Sequence, residues 1–159
     1  MRALACCALL LALGACTPNG TGGVGGSSGA PGVTHVVDIN LTLSQPVSTK
    51  YGQSGAFTPA ILTVKVGDSI VFKNTDSFGH TSSIIPVSKT DNETKFPSAY
   101  PFSGIQQSPS GSTLSGGWTS GVIQAGATSQ VIHADKAGTY LYGCEIHYGA
   151  PMRAAIVAQ

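Results

Sequence analysis

Between Tyr142 and Met152 the chain reads Y-G-C-E-I-H-Y-G-A-P-M, which gathers a thiol, an imidazole and a thioether. The whole sequence has only four Cys, four His and two Met in 159 residues. Cys144 and His147, three residues apart, converge on one ion only if the chain turns after the Cys, as a loop between two strands does. Gly149, Ala150 and Pro151 let that loop return. Met152 then arrives at the start of the next strand, above the same ion, where a thioether acts as a weak, long axial ligand of copper. One equatorial position is left, and it calls for a second imidazole. His80 is the best candidate; His35 and His133 stand in strand-like runs and read as ordinary exposed or edge residues. Alone, a buried Cys is a small hydrophobe and a Met is core filler. Together, at the spacing C-x2-H-x4-M, they read as metal ligands.

The rest of the cysteine inventory sharpens this reading. The chain opens with one Arg and an apolar run closed by small residues, the pattern of a secretory signal. That run is too short for a transmembrane helix, which needs roughly 20 apolar residues. It ends in Leu13-Gly14-Ala15-Cys16, which resembles the lipobox of bacterial lipoproteins. The resemblance implies that residues 1–15 are removed and that Cys16 carries lipid. Gly and Ser dominate the following stretch, so residues 16–32 read as a lipid-anchored flexible tether. The protein is then exported to a bacterial cell envelope, periplasmic or surface-exposed, and meets the membrane through its anchor alone. Cys6, Cys7 and Met1 leave with the signal, which makes Cys144 the sole free thiol and Met152 the sole thioether of the mature chain. In an oxidising compartment a lone thiol needs a reason to stay reduced, and metal ligation is one.

Residues 33–159 are of a size for one domain. Charged residues make up 9% of the sequence, and without Arg2 seven basic residues balance seven acidic ones. No basic stripe is present, which excludes nucleic acid as a partner. The head is expected to be a monomer. Short β-branched or aromatic runs at Val33–Leu43, Ile61–Val66, Ser69–Asn74, His80–Ile85, Thr128–Ala134, Gly138–Gly143 and Arg153–Ala158 read as strands. Gly67-Asp68 between two of them is a hairpin signal. The expected architecture is all-β, a two-sheet antiparallel sandwich of Greek-key type. Alternation along the strand before the loop puts Tyr140, Tyr142 and Cys144 on one side, and Trp118 reads as a core residue. Residues 86–118, rich in Ser, Gly and Pro, read as a long surface excursion with one short helix or edge strand.

Three patterns together resemble the cupredoxins, specifically the plastocyanin-like small blue copper proteins. They are F-x-P-x-x-L-x-V-x-x-G-D from Phe57 to Asp68, N-x-D at Asn74 to Asp76 before His80, and G-x-Y-x-Y-x-C-x-x-H-x4-M from Gly138 to Met152. The resemblance implies a sandwich of eight strands holding one copper ion per chain, with His80, Cys144 and His147 as trigonal ligands and Met152 as the axial one. Thr81 and Glu145 stand where the family often has an Asn and a Ser or Thr that lock the ligand strands together. The lock is then either Thr81 to backbone or missing. Gly79 precedes the first His, and its carbonyl is a candidate fifth, weaker contact opposite Met152.

Such a site, with every position filled by protein, suits a single-electron carrier that cycles Cu(I)/Cu(II) between a donor and an acceptor protein of the envelope. It does not suit an enzyme, which keeps a coordination position open. The alternative is a lipoprotein that stores or delivers copper. Electrons are expected to leave through His147 and a small uncharged patch of Tyr148, Gly149, Ala150 and Pro151, unless Asp91, Glu93 or Glu145 forms an acidic docking spot.

Overall fold

The computed structural model describes residues 32–92 and 94–159. The expected signal (1–15), the expected lipid-bearing Cys16, the expected tether up to residue 31 and Glu93 lie outside the described residues.

Twelve strands form: β1 (Thr34–Ile39), β2 (Val47–Thr49), β3 (Gly52–Ser54), β4 (Phe57–Thr58), β5 (Ile61–Val64), β6 (Ser69–Asn74), β7 (Ser83–Ile84), β8 (Ser110–Thr113), β9 (Gly117–Thr119), β10 (Ile132–His133), β11 (Gly138–Gly143) and β12 (Arg153–Ala158). Ten of them make one sheet in the order β4-β1-β6-β10-β8-β9-β7-β11-β12-β5, and β2 pairs with β3. The ends of that sheet, β4 and β5, are consecutive in the chain and separated only by Pro59-Ala60. The sheet therefore wraps round on itself into a flattened, nearly closed barrel, which leaves few exposed edges.

This confirms the all-β sandwich and corrects it in three respects. There are twelve strands rather than about eight, because short pairings at β2, β3, β4, β8 and β9 lack the apolar alternation that marks a strand in sequence. The pairing is mixed: β1 runs parallel to β6, β8 to β10 and β5 to β12. Lastly, Gly67-Asp68 makes a tight turn without making a hairpin. The Asp68 N–H donates to the Lys65 carbonyl at 3.0 Å and Gly67 takes φ +100°, yet β5 pairs with β12 while β6 pairs with β1 and β10.

Alternation along the longer strands fills the barrel. Val37 and Ile39 of β1, Ile70 and Phe72 of β6, and Ala154 and Ile156 of β12 point inward, and all are wholly buried. At the centre the Tyr142 ring packs edge-on against Phe57 (centroids 4.8 Å apart) and Phe72 (5.3 Å), while Trp118 stacks on Phe72 at 6.3 Å. Trp118, Tyr142 and Cys144 belong to this core with Tyr140 partly buried against it, as the period-two reading expected.

The expected excursion at 86–118 is only partly a surface feature. Val87–Lys89 forms a 3₁₀ turn, but β8 and β9 are built into the sheet between β10 and β7, and Leu114 and Trp118 are buried. The stretch before β8 covers the outer face of β11 and β12. Phe96, Tyr148, Leu141 and Tyr51 form a second core there, with Phe102 packed on it. The Arg153 guanidinium lies over the Tyr148 ring at 4.9 Å and over Phe96 at 5.6 Å. Among the described residues no helix is long and apolar enough to cross a membrane.

Candidate metal centre

The centre lies where two loops meet at one end of the barrel. The first runs from the end of β6 to β7. It is shaped by Asn74, whose buried amide donates to the carbonyls of Phe78 (2.7 Å) and Ile123 (2.9 Å) and whose Oδ1 accepts the Asp76 N–H (2.9 Å). Three of that amide's four hydrogen-bonding positions are thus used, closing the turn and tying it to Ile123. The turn delivers His80, which exchanges both backbone hydrogen bonds with Ile123. Gly79 sits where a Cβ would stand 2.9 Å from Val122 Cγ1, so this close pairing leaves no room for a side chain.

The second loop joins β11 to β12. Cys144 directly follows β11, the chain turns through 145–151, and the Ala150 N–H closes onto the His147 carbonyl at 2.9 Å. Met152 begins the return, and its carbonyl accepts the Cys144 N–H at 3.0 Å. The loop's two ends are thereby tied together, as the C-x2-H-x4-M spacing required.

His80, Cys144 and His147 come together with one ligating atom of each within 4.8 Å of the others. The two Nδ1 atoms lie 3.2 Å apart, and Cys144 Sγ lies 3.7 Å from His147 Nδ1. Donors each about 2.0–2.3 Å from one ion, at angles between tetrahedral and trigonal, stand roughly 3.3–3.7 Å apart. The spacing is that of a ligand set around a single small cation. Burial lowers the pKa of both imidazoles, which keeps them neutral and able to ligate. Soft sulfur with two imidazoles is a donor set suited to copper. Cys144 and Met152 are both wholly buried in the same core cluster.

Thr81 supplies the lock between the loops. Its Oγ1 accepts the Glu145 N–H at 2.7 Å, and its own N–H points to Cys144 Sγ at 3.4 Å. Glu145 faces away from the metal donors: it is 4% exposed, and its carboxylate accepts the Gln106 N–H and the Thr119 hydroxyl. It therefore presents no acidic spot at the surface. His35 hydrogen-bonds Asp68 Oδ2 at 2.8 Å, and His133 lies exposed beside Ser69, both away from the centre.

Tyr148, expected at the surface of the loop, is instead buried: its hydroxyl donates to the Pro97 carbonyl and its ring meets Tyr100 and Phe102 edge-on. Two further residues lie at the centre: Phe78, which sequence reasoning missed, and Asp76, which it read only as part of a turn. Phe78 is 40% exposed and its ring packs against His80 (4.8 Å) and His147 (5.4 Å). Asp76 approaches His80 Nε2 at 3.2 Å. The spacing of four between Asp76 and His80 was the available signal.

Residues 46–159 match the family model for copper binding proteins of the plastocyanin/azurin family. Among solved structures, the chain is similar to a purple cupredoxin from Nitrosopumilus maritimus, at 17% identity and TM-score 0.47, over 78% of this chain and 98% of that one. It is also similar to a variant of amicyanin in its reduced Cu(I) form at pH 4, at 18% identity and TM-score 0.45, over 84% of this chain and 87% of that one. No curated protein matches the sequence.

Proposed function

Because the chain belongs to the copper-binding proteins of the plastocyanin/azurin family, we propose that it is a single-electron carrier with one copper held by His80, Cys144, His147 and Met152. Like its family it is a non-catalytic protein and not an enzyme. The observation that carries the reading is the convergence of two imidazole nitrogens and one thiol sulfur at ligand spacing, with His80 and Cys144 buried and His147 half-buried.

A copper ion bound there supplies a one-electron Cu(I)/Cu(II) couple. The chain's own part is to hold the donors still. His80 is fixed by its pairing with Ile123, Cys144 by Met152, and the two loops by Thr81. Little then moves when charge changes, and a rigid site favours fast electron exchange. Burial of His80, Cys144 and Met152 excludes water from those donors, while His147 is only half-buried and gives the one donor with a route outward. A copper store or delivery protein would instead expose donors that exchange metal easily.

Purified head should take up one equivalent of copper, become intensely coloured in the Cu(II) form, and exchange electrons reversibly with a mediator. Cys144→Ser should abolish the colour, whereas Met152→Leu should keep it and shift the potential. A Cys144→Ser protein that stays coloured would sink the assignment. We further propose that residues 1–15 are a lipoprotein signal and that Cys16 anchors the head through the 16–32 tether. Incorporation of a fatty-acid analogue, lost in Cys16→Ser with an unchanged copper spectrum, is the test.

A further inference from the structure

His80 is the donor of the centre whose far ring nitrogen meets a charged partner. Its Nε2 lies 3.2 Å from Asp76 Oδ2, with the two side chains 0% and 2% exposed. The carboxylate is itself pinned. Oδ2 also accepts the N–H groups of Leu41 (2.8 Å) and Thr42 (3.0 Å), and Oδ1 accepts the Thr42 hydroxyl (2.7 Å) and the Ser77 N–H (2.9 Å). An ionised carboxylate has acceptors only, so the imidazole must be the donor. Its proton then sits on Nε2, and Nδ1, the atom facing His147 at 3.2 Å, keeps a free lone pair. Two backbone N–H groups on Oδ2, and a hydroxyl and a third N–H on Oδ1, surround the group with donors, the arrangement that suits a carboxylate anion.

We propose that Asp76 is a positioning residue of the copper centre: a buried anion that fixes His80 as its Nε2–H tautomer, aims Nδ1 at the metal and strengthens it as a donor. The inference rests on the copper reading above. A carboxylate behind a ligating imidazole raises its basicity and orients its ring. A more basic imidazole favours Cu(II), the more highly charged state, over Cu(I). Asp76 thus lowers the reduction potential from a position behind its ligand, without touching the metal.

Two variants separate this effect from the carboxylate's role in loop structure. Asp76→Asn removes the charge with little change of shape. Thr42→Val removes one hydrogen bond to the same carboxylate but leaves its charge and its contact with His80. In the full chain, ring-nitrogen NMR of the copper-free protein should show His80 protonated at Nε2. Asp76→Asn should lose Cu(II) affinity by about 10- to 100-fold. Its potential should rise by about 59 mV for each tenfold loss that spares Cu(I). Thr42→Val should match the parent in both. A parent His80 protonated at Nδ1, an unshifted potential in Asp76→Asn, or an equal shift in Thr42→Val would each overturn the proposal. If the parent takes up no copper, the copper reading fails; the ring-nitrogen measurement on that parent still decides the tautomer, as it does if Asp76→Asn does not fold.

Discussion

The Thr81 hydroxyl oxygen accepts the Glu145 N–H at 2.7 Å and so joins the residue after the first histidine to the residue after the cysteine. Both residues are buried, and the same hydroxyl lies 3.7 Å from Cys144 Sγ. One side chain thus fixes the separation of the two loops and sets a polar hydrogen against the sulfur.

Thr81→Val keeps the shape and removes this bond, which leaves a buried N–H without its partner. Such a group costs about 1–3 kcal/mol. The variant should lose that much stability in urea unfolding, and its visible band should shift because a hydrogen bond near the sulfur is gone. Thr81→Ser should restore both. Equal stability of Thr81→Val and the parent would show that the lock lies elsewhere.

A second prediction concerns Tyr142, two residues before the cysteine. Its hydroxyl is wholly buried with no hydrogen-bond partner, and burial pushes the phenol far above its ordinary pKa. The ring is well used, edge-on to Phe57 and Phe72. Removing an unpaired buried polar group while keeping the shape is neutral to stabilising. Tyr142→Phe should therefore raise stability by about 1 kcal/mol with the copper spectrum unchanged. A loss of stability in denaturant titration would reveal a partner for the hydroxyl.

What was legible in the sequence follows from chain distance. Cys144 and His147 lie within one loop, so their approach was legible from their spacing. His80 was legible because a turn-forming Asn and Asp precede it by a few residues. The anchoring of Asp76 by Leu41 and Thr42 was not, since those partners lie more than thirty residues away in another strand's exit. Strand destinations failed for a similar reason. Gly67-Asp68 specifies a turn, but which edges β5 and β6 join depends on β12, β1 and β10. The strands β8, Ser-Gly-Ser-Thr, and β9, Gly-Trp-Thr, carry almost no apolar pattern and are held by pairing with their neighbours. Tyr148 was misplaced because its cover comes from Pro97, Tyr100 and Phe102, in a segment whose path no periodicity reveals.

Asp68 gives a pH prediction. The Lys65 N–H first, then the His35 ring and the Val33 N–H, lower its carboxyl from 3.8 to about 2. A folded-state pKa below the unfolded one means that the stabilisation is fully present above the unfolded value and is lost as pH falls through the folded one. Stability should therefore drop between about pH 4 and pH 2, and Asp68→Asn should flatten that part of the curve. Thermal unfolding of both proteins across this range is the check, and parallel curves would remove Asp68 as a cause.

The last prediction concerns the surface through which the proposed carrier would exchange electrons. His147 is half-buried, Gly149 and Ala150 are exposed beside it, and Phe78 adds an exposed ring edge against both histidines. Tyr148 belongs underneath, and Glu145 is turned inward. The resulting patch is apolar and uncharged, while residues 33–159 balance seven basic residues with seven acidic ones. Little long-range steering is then available, and docking should depend only weakly on salt. Ala150→Asp places an unpaired charge that a docked partner would have to desolvate. A loss of about 1.4 kcal/mol in docking corresponds to roughly tenfold slower transfer at limiting concentration. The visible spectrum should not change, since Ala150 supplies no donor atom. Stopped-flow rates with the native partner over a salt series decide the matter: an unaffected Ala150→Asp rate, or a steep salt dependence in the parent, would move the exit away from His147 and Phe78 toward a charged face such as that around Asp91.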